Sequence, residues 1–424
     1  MDISPDKTHP DTPHPDTLHD GLRGGYPPWR QRARAPGRPV LAANMRCDVL
    51  VVGAGITGSF MAEHLSALGH QVCVLDREQP GLGSTAASTA MLLWEIDASL
   101  GKLTQLYGFE RAAEIYRHSL RAVSGLKKLV ESAELPCGFR ARNSLYLAEA
   151  GTDPRDLLAE HLLRERADLP GNYLDHRRLL SEFALTREAA LLSPGSAEVD
   201  PVLLSQALLA RAGRQGASLL AGEAVSYEVE GGGVLVGLAN GCAVEACKVV
   251  LATGYVMPEW LHAPLHAISS TWAIATPPQQ PGTLWRDRAL IWEAGENYSY
   301  ARTTTDNRIV IGGEDDSDLT DQAARDGAMA AKTKALLSKL AGLWPTAACR
   351  ADFQWSGAFG ETADGLPLIG AVPGQRHMFA AYGYGGNGIT FSYMASRLIG
   401  RMIAGAHEDW FEHLAVDRPV PLGA

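Results

Sequence analysis

An apolar stretch that runs directly into a glycine-rich turn constrains this chain more than any other feature of its sequence. The stretch, DVLVVGAGITG, occupies residues 48–58, and its glycines follow the G-x-G-x-x-G spacing at Gly53, Gly55 and Gly58. The first glycine allows a tight turn, the second lets a pyrophosphate approach the backbone, and the third lets the following helix pack closely on the strand. The spacing therefore predicts a dinucleotide-binding βαβ unit.

The segment after the turn completes this unit. Four apolar residues have the spacing of one helix face: Phe60, Met61, Leu65 and Leu68. Residues 72–76 then form a second apolar strand that ends at Asp76, where a carboxylate can accept hydrogen bonds from ribose hydroxyls. A pyrophosphate would lie at the helix N-terminus, where unpaired N–H groups and the helix dipole favour an anion. The motif leaves open which dinucleotide binds.

A small, hydroxyl-rich stretch stands where a nicotinamide-binding domain would have its third strand. It occupies residues 83–90 and reads GSTAASTA. Its backbone N–H groups and hydroxyls can bond phosphate or ribityl oxygens, and tight helix packing by small residues is the alternative explanation. The departure argues against a nicotinamide dehydrogenase.

Composition limits the partners and the compartment. The chain has 424 residues, a net charge of −10 and a pI near 5.7, so neither nucleic acid nor an anionic membrane surface, which would need a basic face, is an expected partner. The length suits two domains. No apolar run is long enough to span a membrane, no secretory signal opens the chain, and its six cysteines form no C-x-x-C pair. We expect a cytoplasmic protein with reduced thiols.

The N-terminal region, residues 1–44, differs from the rest of the chain. HPDT occurs at 9–12 and again at 14–17, and residues 1–24 are predicted to be disordered because they offer almost nothing to bury. Three evenly spaced histidines suggest a metal site, but a proline-rich tail cannot fix a coordination geometry in advance, so we expect no metal. These histidines are His9, His14 and His19. The two aromatic residues of segment 26–29 predict a short arm that docks on the folded domain.

Two excursions interrupt the cofactor domain. The first is mainly helical in pattern, and the second contains an alternating hairpin. Between them the cofactor domain resumes with a helix that starts at Asp200, and VVLATG at 249–254 ends a buried strand in small residues. The predicted organisation is an arm at 1–44, a cofactor domain from 45–97, 191–261 and 341–424, and a substrate domain from 98–190 and 262–340.

The hairpin of the second excursion carries candidate substrate residues. Tyr298, Tyr300 and Arg302 alternate along one strand, a turn follows at 306–307, and residues 309–313 return as the partner strand. An arginine beside two aromatic residues can bind both oxygens of a carboxylate. The alternative is a surface arginine paired with Glu293 or Glu296, and the sequence does not separate the two.

A second glycine-rich helix start lies near the C-terminus. Residues 378–382 form an apolar strand, and GYGGNGI at 383–389 then opens a long amphipathic helix. A second such helix start, far along the chain from the first, predicts contact with the other end of a long cofactor. Its dipole would stabilise negative charge on a flavin ring during reduction.

Taken in order, these segments resemble the D-amino-acid oxidase-like (DAO) family of FAD oxidoreductases, which includes glycine oxidase, sarcosine oxidase and γ-glutamylputrescine oxidase. The resemblance covers about residues 46–405. It implies an α/β and α+β fold, in which an FAD-binding, Rossmann-like (two-dinucleotide-binding) domain is joined to a discontinuous mixed-sheet substrate domain.

The resemblance also assigns site residues. It implies that FAD is bound by Gly53, Ala54, Gly55, Ile56, Thr57, Gly58, Asp76, Arg77, Ser84, Thr85, Ser88, Val225, Thr253, Gly254, Gly385, Gly386, Asn387, Gly388 and Ile389. The substrate would meet Tyr298, Tyr300 and Arg302. Family members that tether the flavin use a cysteine where this chain has Gly357, or a histidine where it has Ala86 and Ala87, so the FAD is predicted to be non-covalent.

The implied chemistry is hydride transfer from a carbon bearing nitrogen, in a small amine or amino acid, to the flavin. The resulting imine is hydrolysed by water, and the electrons pass to dioxygen or another acceptor. Because the flavin performs the hard step, no catalytic side chain is assigned. A family cousin that oxidises a hydroxy acid or polyol, and a non-catalytic flavin-binding protein, are the alternatives.

Overall fold

The structure is a computed structural model, and it describes residues 22–29, 36–149, 153–261, 265–280, 282–295 and 298–419. The three tail histidines considered for a metal site lie outside the described residues. The strands are β1 Arg23–Gly25, β2 Met45–Val52, β3 Val72–Asp76, β4 Met91–Leu92, β5 Arg140–Leu147, β6 Asn172–Asp175, β7 Ala189–Glu198, β8 Ser218–Ala221, β9 Ala224–Glu230, β10 Gly233–Leu238, β11 Ala243–Leu251, β12 His266–Ala275, β13 Leu290–Glu293, β14 Ser299–Thr303, β15 Ile309–Asp316, β16 Phe353–Thr362, β17 Leu368–Ala371 and β18 Met378–Tyr382. The helices are α1 Ile56–Ala67, α2 Ser84–Ala87, α3 Leu100–Tyr107, α4 Phe109–Ser132, α5 Pro154–Arg166, α6 His176–Phe183, α7 Pro201–Arg214, α8 Gln322–Leu343 and α9 Gly388–Ile403.

The first sheet of the described chain has eight strands in the order β17-β18-β11-β2-β3-β8, with β10 and β9 added beside β11. Its central pairs, from β18 through β11 and β2 to β3 and β8, are parallel. Such strands are buried on both faces, which explains why β2 and β11 end in uninterrupted apolar runs. Helices α1, α7 and α9 pack together beside this sheet. The predicted βαβ unit is β2, α1 and β3.

The glycines of the first turn are required by close backbone contacts. Gly53 has a φ of +105°, a conformation that side chains rarely adopt, and a Cβ there would lie 2.3 Å from the carbonyl oxygen of Ala252. At Gly58 a Cβ would lie 1.8 Å from the carbonyl oxygen of Gly53. The third glycine therefore lets α1 start against the end of β2, as the spacing predicts.

The second sheet of the described chain has ten strands in the order β1-β16-β12-β15-β14-β13-β5-β7-β4, and β6 pairs with β7. Most pairs are antiparallel, whereas β13 and β5 run parallel, so the sheet is mixed as expected. Helix α8 covers one face of it over a core that includes Trp272, Trp285, Leu336 and Leu340. The fold predicted from the sequence is therefore confirmed.

Three strands of the second sheet come from segments assigned to the cofactor domain. These are β4, most of β7, and β16. The sequence does not show which sheet these strands join, because a buried apolar strand has the same pattern in either sheet. Their pairing with β5 or β12 is set by residues far away in the chain. The second sheet therefore takes strands from more parts of the chain than the predicted domain boundaries suggest.

The disorder predicted for residues 1–24 is wrong for the last residues of that segment. Arg23 and Gly24 belong to β1, which pairs with Gly357 and Ser356 of β16, and backbone bonding here replaces the apolar burial that the sequence lacks. The docked arm is confirmed for Trp29, which is buried and donates from Nε1 to the carbonyl oxygen of Ser88 at 2.9 Å. Tyr26 stays 44% exposed and stacks on Phe353.

No helix in the described part of the chain combines the length and the apolar character needed to cross a membrane. All six cysteines are free thiols, and Cys47, Cys73 and Cys137 are buried. Burial raises the pKa of the Cys47 and Cys73 thiols to about 12, which keeps them protonated.

Candidate active site

A cavity of about 620 Å³ joins the carboxyl ends of the central parallel strands to one face of the second sheet. Its walls include the first glycine turn, the 83–90 segment, the segment after β11, strands β13 to β15 and the second glycine-rich helix start. Segments separated by hundreds of residues in the sequence therefore meet around one space.

The first glycine turn leaves the N-terminus of α1 open to this cavity. Gly55 precedes the helix and, being glycine, has no side chain to cap it. Two side chains hold the turn from the sides, since the N–H of Ala54 donates to Asp76 Oδ2 at 2.6 Å and the N–H of Ile56 donates to Thr85 Oγ1 at 2.9 Å. Burial raises the pKa of the Asp76 carboxyl. The open helix end suits an anionic group.

The predicted 83–90 segment faces the cavity as a short helix, α2, followed by an extended stretch. Ser84, Thr85 and Ser88 all line the cavity. The hydroxyl oxygen of Ser84 is buried and has no hydrogen-bond partner among the described residues. An unsatisfied hydroxyl at a cavity wall is costly unless a ligand meets it, so this segment is suited to holding a polar group.

Apolar side chains border the end of the cavity beyond Asp76. Val225 is 60% exposed and Trp260 is 45% exposed, and both line the cavity. Thr253 and Gly254 lie on the same wall. Arg77 also lines the cavity, but its guanidinium is paired with Glu223 at 3.0 Å on the surface. This end offers flat apolar surface for a ring.

The second glycine-rich start is a single turn, Gly385–Asn387, that leads into α9. The Asn387 side chain is buried, donates from Nδ2 to the carbonyl oxygen of Glu95 at 2.8 Å, and accepts from the N–H of Asp97 at 3.3 Å. In return, Asp97 Oδ2 accepts from the N–H of Gly386 at 2.6 Å. Residues 93–97 therefore hold this helix start in place.

Asp97 stands at the cavity wall beside Gly385 and Gly386. Loss of contact with water raises the pKa of the Asp97 carboxyl to about 6, and the nearby carboxylates of Asp315 and Glu361 add to the shift. At neutral pH the group is thus ionised, but it titrates well above an ordinary aspartate.

The opposite wall is one face of the second sheet. Trp292 of β13 is paired with Tyr300 of β14, and Tyr298 lies on the same face two residues before Tyr300. Tyr298 donates its phenol hydrogen to Asp315, and the hydroxyls of Tyr300 and Thr271 lie 3.3 Å apart. Burial, with the nearby Asp315 charge, raises the pKa of both tyrosines, so they remain neutral phenols.

The prediction that Arg302 clamps a substrate carboxylate is not supported by its surroundings. Arg302 is 3% exposed and is absent from the described cavity lining. Its guanidinium donates to the carbonyl oxygens of Thr89 and Val199, lies 3.6 Å from Glu198, and stacks 4.8 Å from the Trp29 ring centre. The surface-pair alternative also fails, because Glu293 binds Arg187 and Arg302 is buried. Glu296 lies outside the described residues.

The reason for this correction lies along the strand. Arg302 shares the sheet face of Tyr298 and Tyr300, as the alternation predicts, but it lies at the end that the docked arm and residues 87–89 cover. Three predicted cofactor residues also act from behind the wall. Ala54, Gly58 and Asn387 are not among the described lining residues, but they fix the conformation of the neighbouring backbone, which does line the cavity.

Several lining residues were missed at the sequence level. They are Asp97, Tyr255, Thr271, Trp292, Asp315 and Tyr384. Only Tyr384 belongs to a glycine motif, and Asp97 is brought to the site by a contact with a helix start at the other end of the chain. Only the strand pattern around Trp292 and Tyr300 carried a usable signal.

Comparison with known proteins agrees with this geometry. The family model DAO, described as FAD dependent oxidoreductase, matches residues 48–402. The chain is 23% identical to the γ-glutamylputrescine oxidoreductase of Escherichia coli (87% of this chain, 86% of that protein) and 25% identical to a glycine oxidase of Bacillus licheniformis (88% and 98%).

Solved structures show the same fold at low identity. A glycine oxidase from Geobacillus kaustophilus superposes with a TM-score of 0.73 at 22% identity, covering 88% of this chain and 99% of that one. An L-proline dehydrogenase from P. horikoshii gives a TM-score of 0.71 at 19% identity, covering 88% and 98%.

Proposed function

Because this chain belongs to the DAO family of FAD-dependent oxidoreductases, we propose that it oxidises a carbon–nitrogen bond of a small amine or amino acid. The observation that carries the proposal is the single cavity that joins the two glycine-rich helix starts and is closed by an aromatic sheet face. A long cofactor fits along it, and a small substrate fits between the cofactor and that face.

The residues present fit FAD. The open end of α1 and the unpartnered Ser84 hydroxyl suit the diphosphate region, and the Asp76 carboxylate would bind the ribose. Val225, Thr253 and Gly254, which line the cavity, would border the adenine, and the turn before α9 would border the ring that reacts. When bound, FAD supplies the acceptor for a hydride from the substrate carbon.

The protein's own contribution is binding, orientation and exclusion of water. Trp292, Tyr298 and Tyr300 form a largely apolar wall against which an amine carbon can be held. The segment 93–97 fixes the second helix start through Asn387 and Asp97, so the substrate faces a rigid backbone. The imine that forms is hydrolysed by water, and the electrons pass to dioxygen or another acceptor.

The flavin is held without a covalent bond in this proposal. The described lining includes neither cysteine nor histidine. A Cβ at Gly357 would lie 2.8 Å from the Ala87 side chain, so a tethering cysteine has no room there. Acid precipitation of the purified protein should release the yellow colour into the supernatant, and a yellow pellet would contradict the prediction.

Anaerobic reduction of the purified holoenzyme tests the function. Primary amines, N-methyl amino acids and D-amino acids are mixed with the enzyme, and loss of the flavin absorption is followed. We expect bleaching by at least one amine class, with hydrogen peroxide formed on readmission of air if dioxygen is the acceptor. Bleaching by hydroxy acids or polyols alone would refute amine oxidation, and bleaching by no substrate would favour a non-catalytic protein.

A further inference from the structure

The end of the cavity beside the second helix start carries two carboxyl groups. Asp97 and Asp315 both line it. Arg77 is the one basic side chain among the described lining residues, and it lies at the other end, paired with Glu223. With Arg302 buried elsewhere, no described lining cation is left at this end to bind a substrate carboxylate.

A β-bulge places Asp315 on the cavity face. Ser270 of β12 pairs with Asp316 while Trp272 pairs with Gly313, so β15 has one extra residue between these pairs. Glu314 takes the strain with a φ of +61°, and its carboxylate turns to Lys339 of α8 at 2.6 Å. Without the bulge Glu314 would share the face of Gly312, and Asp315 would point to α8. Bulges beside active sites commonly redirect a side chain in this way.

Asp315 also retains hydrogen-bonding capacity. One carboxylate oxygen accepts from the Tyr298 phenol, and the Thr271 hydroxyl is a second neighbouring donor. Oδ1 is buried and has no well-aligned hydrogen bond among the described residues. A carboxylate with an unsatisfied oxygen is costly in the interior unless a donor meets it. An ammonium group supplies both the hydrogen bond and the opposite charge.

Aromatic rings surround the same region. Trp292, Tyr298 and Tyr300 line the wall, and Tyr146 stacks behind Trp292 with ring centres 3.9 Å apart. The faces of such rings attract ammonium groups, and the attraction is stronger where water is excluded. Aromatic walls and carboxylates together therefore select a cation.

We propose that the substrate is an amine with a second positive charge, a diamine or related polyamine, and that Asp315 with Asp97 recognises its distal ammonium group. The proposal rests on the amine oxidation proposed above and names its substrate class. The reacting nitrogen is neutral and its carbon loses a hydride to the flavin, which leaves an iminium ion. Addition of water to that ion then gives an aldehyde and an ammonium ion, while the distal ammonium group is unchanged. A distal carboxylate would instead face two like charges.

Matched ligands that differ only in the distal group test this inference. Two sets are added anaerobically to the holoenzyme, each with a diamine, a monoamine and an amino acid of matched length. The first set is putrescine, butylamine and γ-aminobutyrate; the second is cadaverine, pentylamine and δ-aminovalerate. Binding is read from the perturbation of the flavin spectrum, and turnover from its bleaching. We expect kcat/KM or affinity to fall at least tenfold from the diamine to the monoamine, and further to the amino acid.

Two variants locate the preference. Asp315→Asn should reduce the ratio of the diamine value to the monoamine value at least tenfold, whatever loss both ligands share. Asp97→Asn should lower the same ratio, in addition to a loss shared by all amines, because Asp97 also holds Gly386. Asp316→Asn is the matched control, because its carboxylate pairs with Lys332 at 3.2 Å and it is not among the described lining residues. Full FAD content in each variant shows that the fold is retained.

The outcomes separate this inference from the function on which it rests. Equal responses within each set, including no response, or a preference for the amino acid, would overturn the diamine inference, as would an unchanged preference in Asp315→Asn. If other amines still bleach the flavin, the proposed amine oxidation survives. If only hydroxy acids bleach it, both fail together.

Discussion

The two glycine-rich helix starts of this protein look alike in sequence but are held in different ways. The first, at residues 53–58, depends on a close contact within its own backbone, because a Cβ at Gly58 would overlap the carbonyl oxygen of Gly53, and the side chains that bond it, Asp76 and Thr85, come from the strand and segment that follow. The second, at 385–389, is fixed by side chains of a distant segment, through Asn387 and Asp97. The first start is thus locally encoded, and the second depends on the tertiary fold.

The largest effect is expected from Gly58→Ala. The added methyl group would lie 1.8 Å from a backbone oxygen that cannot move without opening the turn, so the free energy of unfolding should fall by about 3 kcal/mol. Urea unfolding of the apoprotein measures this. Gly388→Ala is the counterpart at the second start: it is helical and has no atom within 4 Å of a new Cβ. A similar loss of unfolding free energy in both variants would contradict the difference between the two helix starts.

The buried carboxylate that connects the helices behind both starts should have the next largest effect. Glu63 of α1 binds Arg211 of α7 at 3.0 Å and Arg397 of α9 at 3.3 Å. Glu63→Ala should cost about 2 kcal/mol of unfolding free energy, less than a fully buried pair because both arginines are partly exposed. Chemical denaturation measures the cost, and a double-mutant cycle with Arg397→Ala should show coupling. Additive effects would mean that α1 and α9 are not joined here.

Asn387→Ala separates positioning from cofactor retention. Loss of the bonds to residues 95 and 97 should lower the free energy of unfolding by about 1 to 2 kcal/mol. The FAD content should stay near one per chain, because the first start is unchanged, while the rate of amine-dependent flavin bleaching falls about tenfold. Equal bleaching rates in the variant and the wild type would show that the second start needs no support from residues 93–97.

The smallest effect is a pH dependence that Asp97 imposes on the apoprotein. Its pKa in the folded state, about 6, lies above the ordinary value of 3.8, so folding favours the protonated form. Its contribution to stability is present at low pH and is lost as pH rises through the folded pKa, mainly between pH 4 and 6. Thermal unfolding across this range should show a smaller decline with rising pH in Asp97→Asn than in the wild type. Identical profiles would contradict the shift.

Much of the fold follows from the sequence because its signals are local. Apolar runs predict the parallel strands, and Asp200, predicted to start a helix, caps α7 by accepting from two of its first N–H groups. The cofactor segments were predicted for the same reason, since each motif carries its own glycines or hydroxyls.

The substrate end could not be predicted in the same way. Arg302 has the expected strand face, yet coverage by Trp29 and residues 87–89 removes it from the cavity, and no local pattern shows that coverage. Asp315 reaches the cavity only because of the bulge at Glu314. Asp97 is recruited by Gly386 from the other end of the chain. These three positions depend on tertiary packing rather than on spacing.

Hydrogen exchange of the apoprotein during titration with FAD tests most directly the claim that both helix starts hold one cofactor. The account predicts that peptides covering residues 53–58 and 385–389 gain protection together, with the same dependence on FAD concentration. Protection confined to the first segment, or acquired by the two segments at different concentrations, would contradict it.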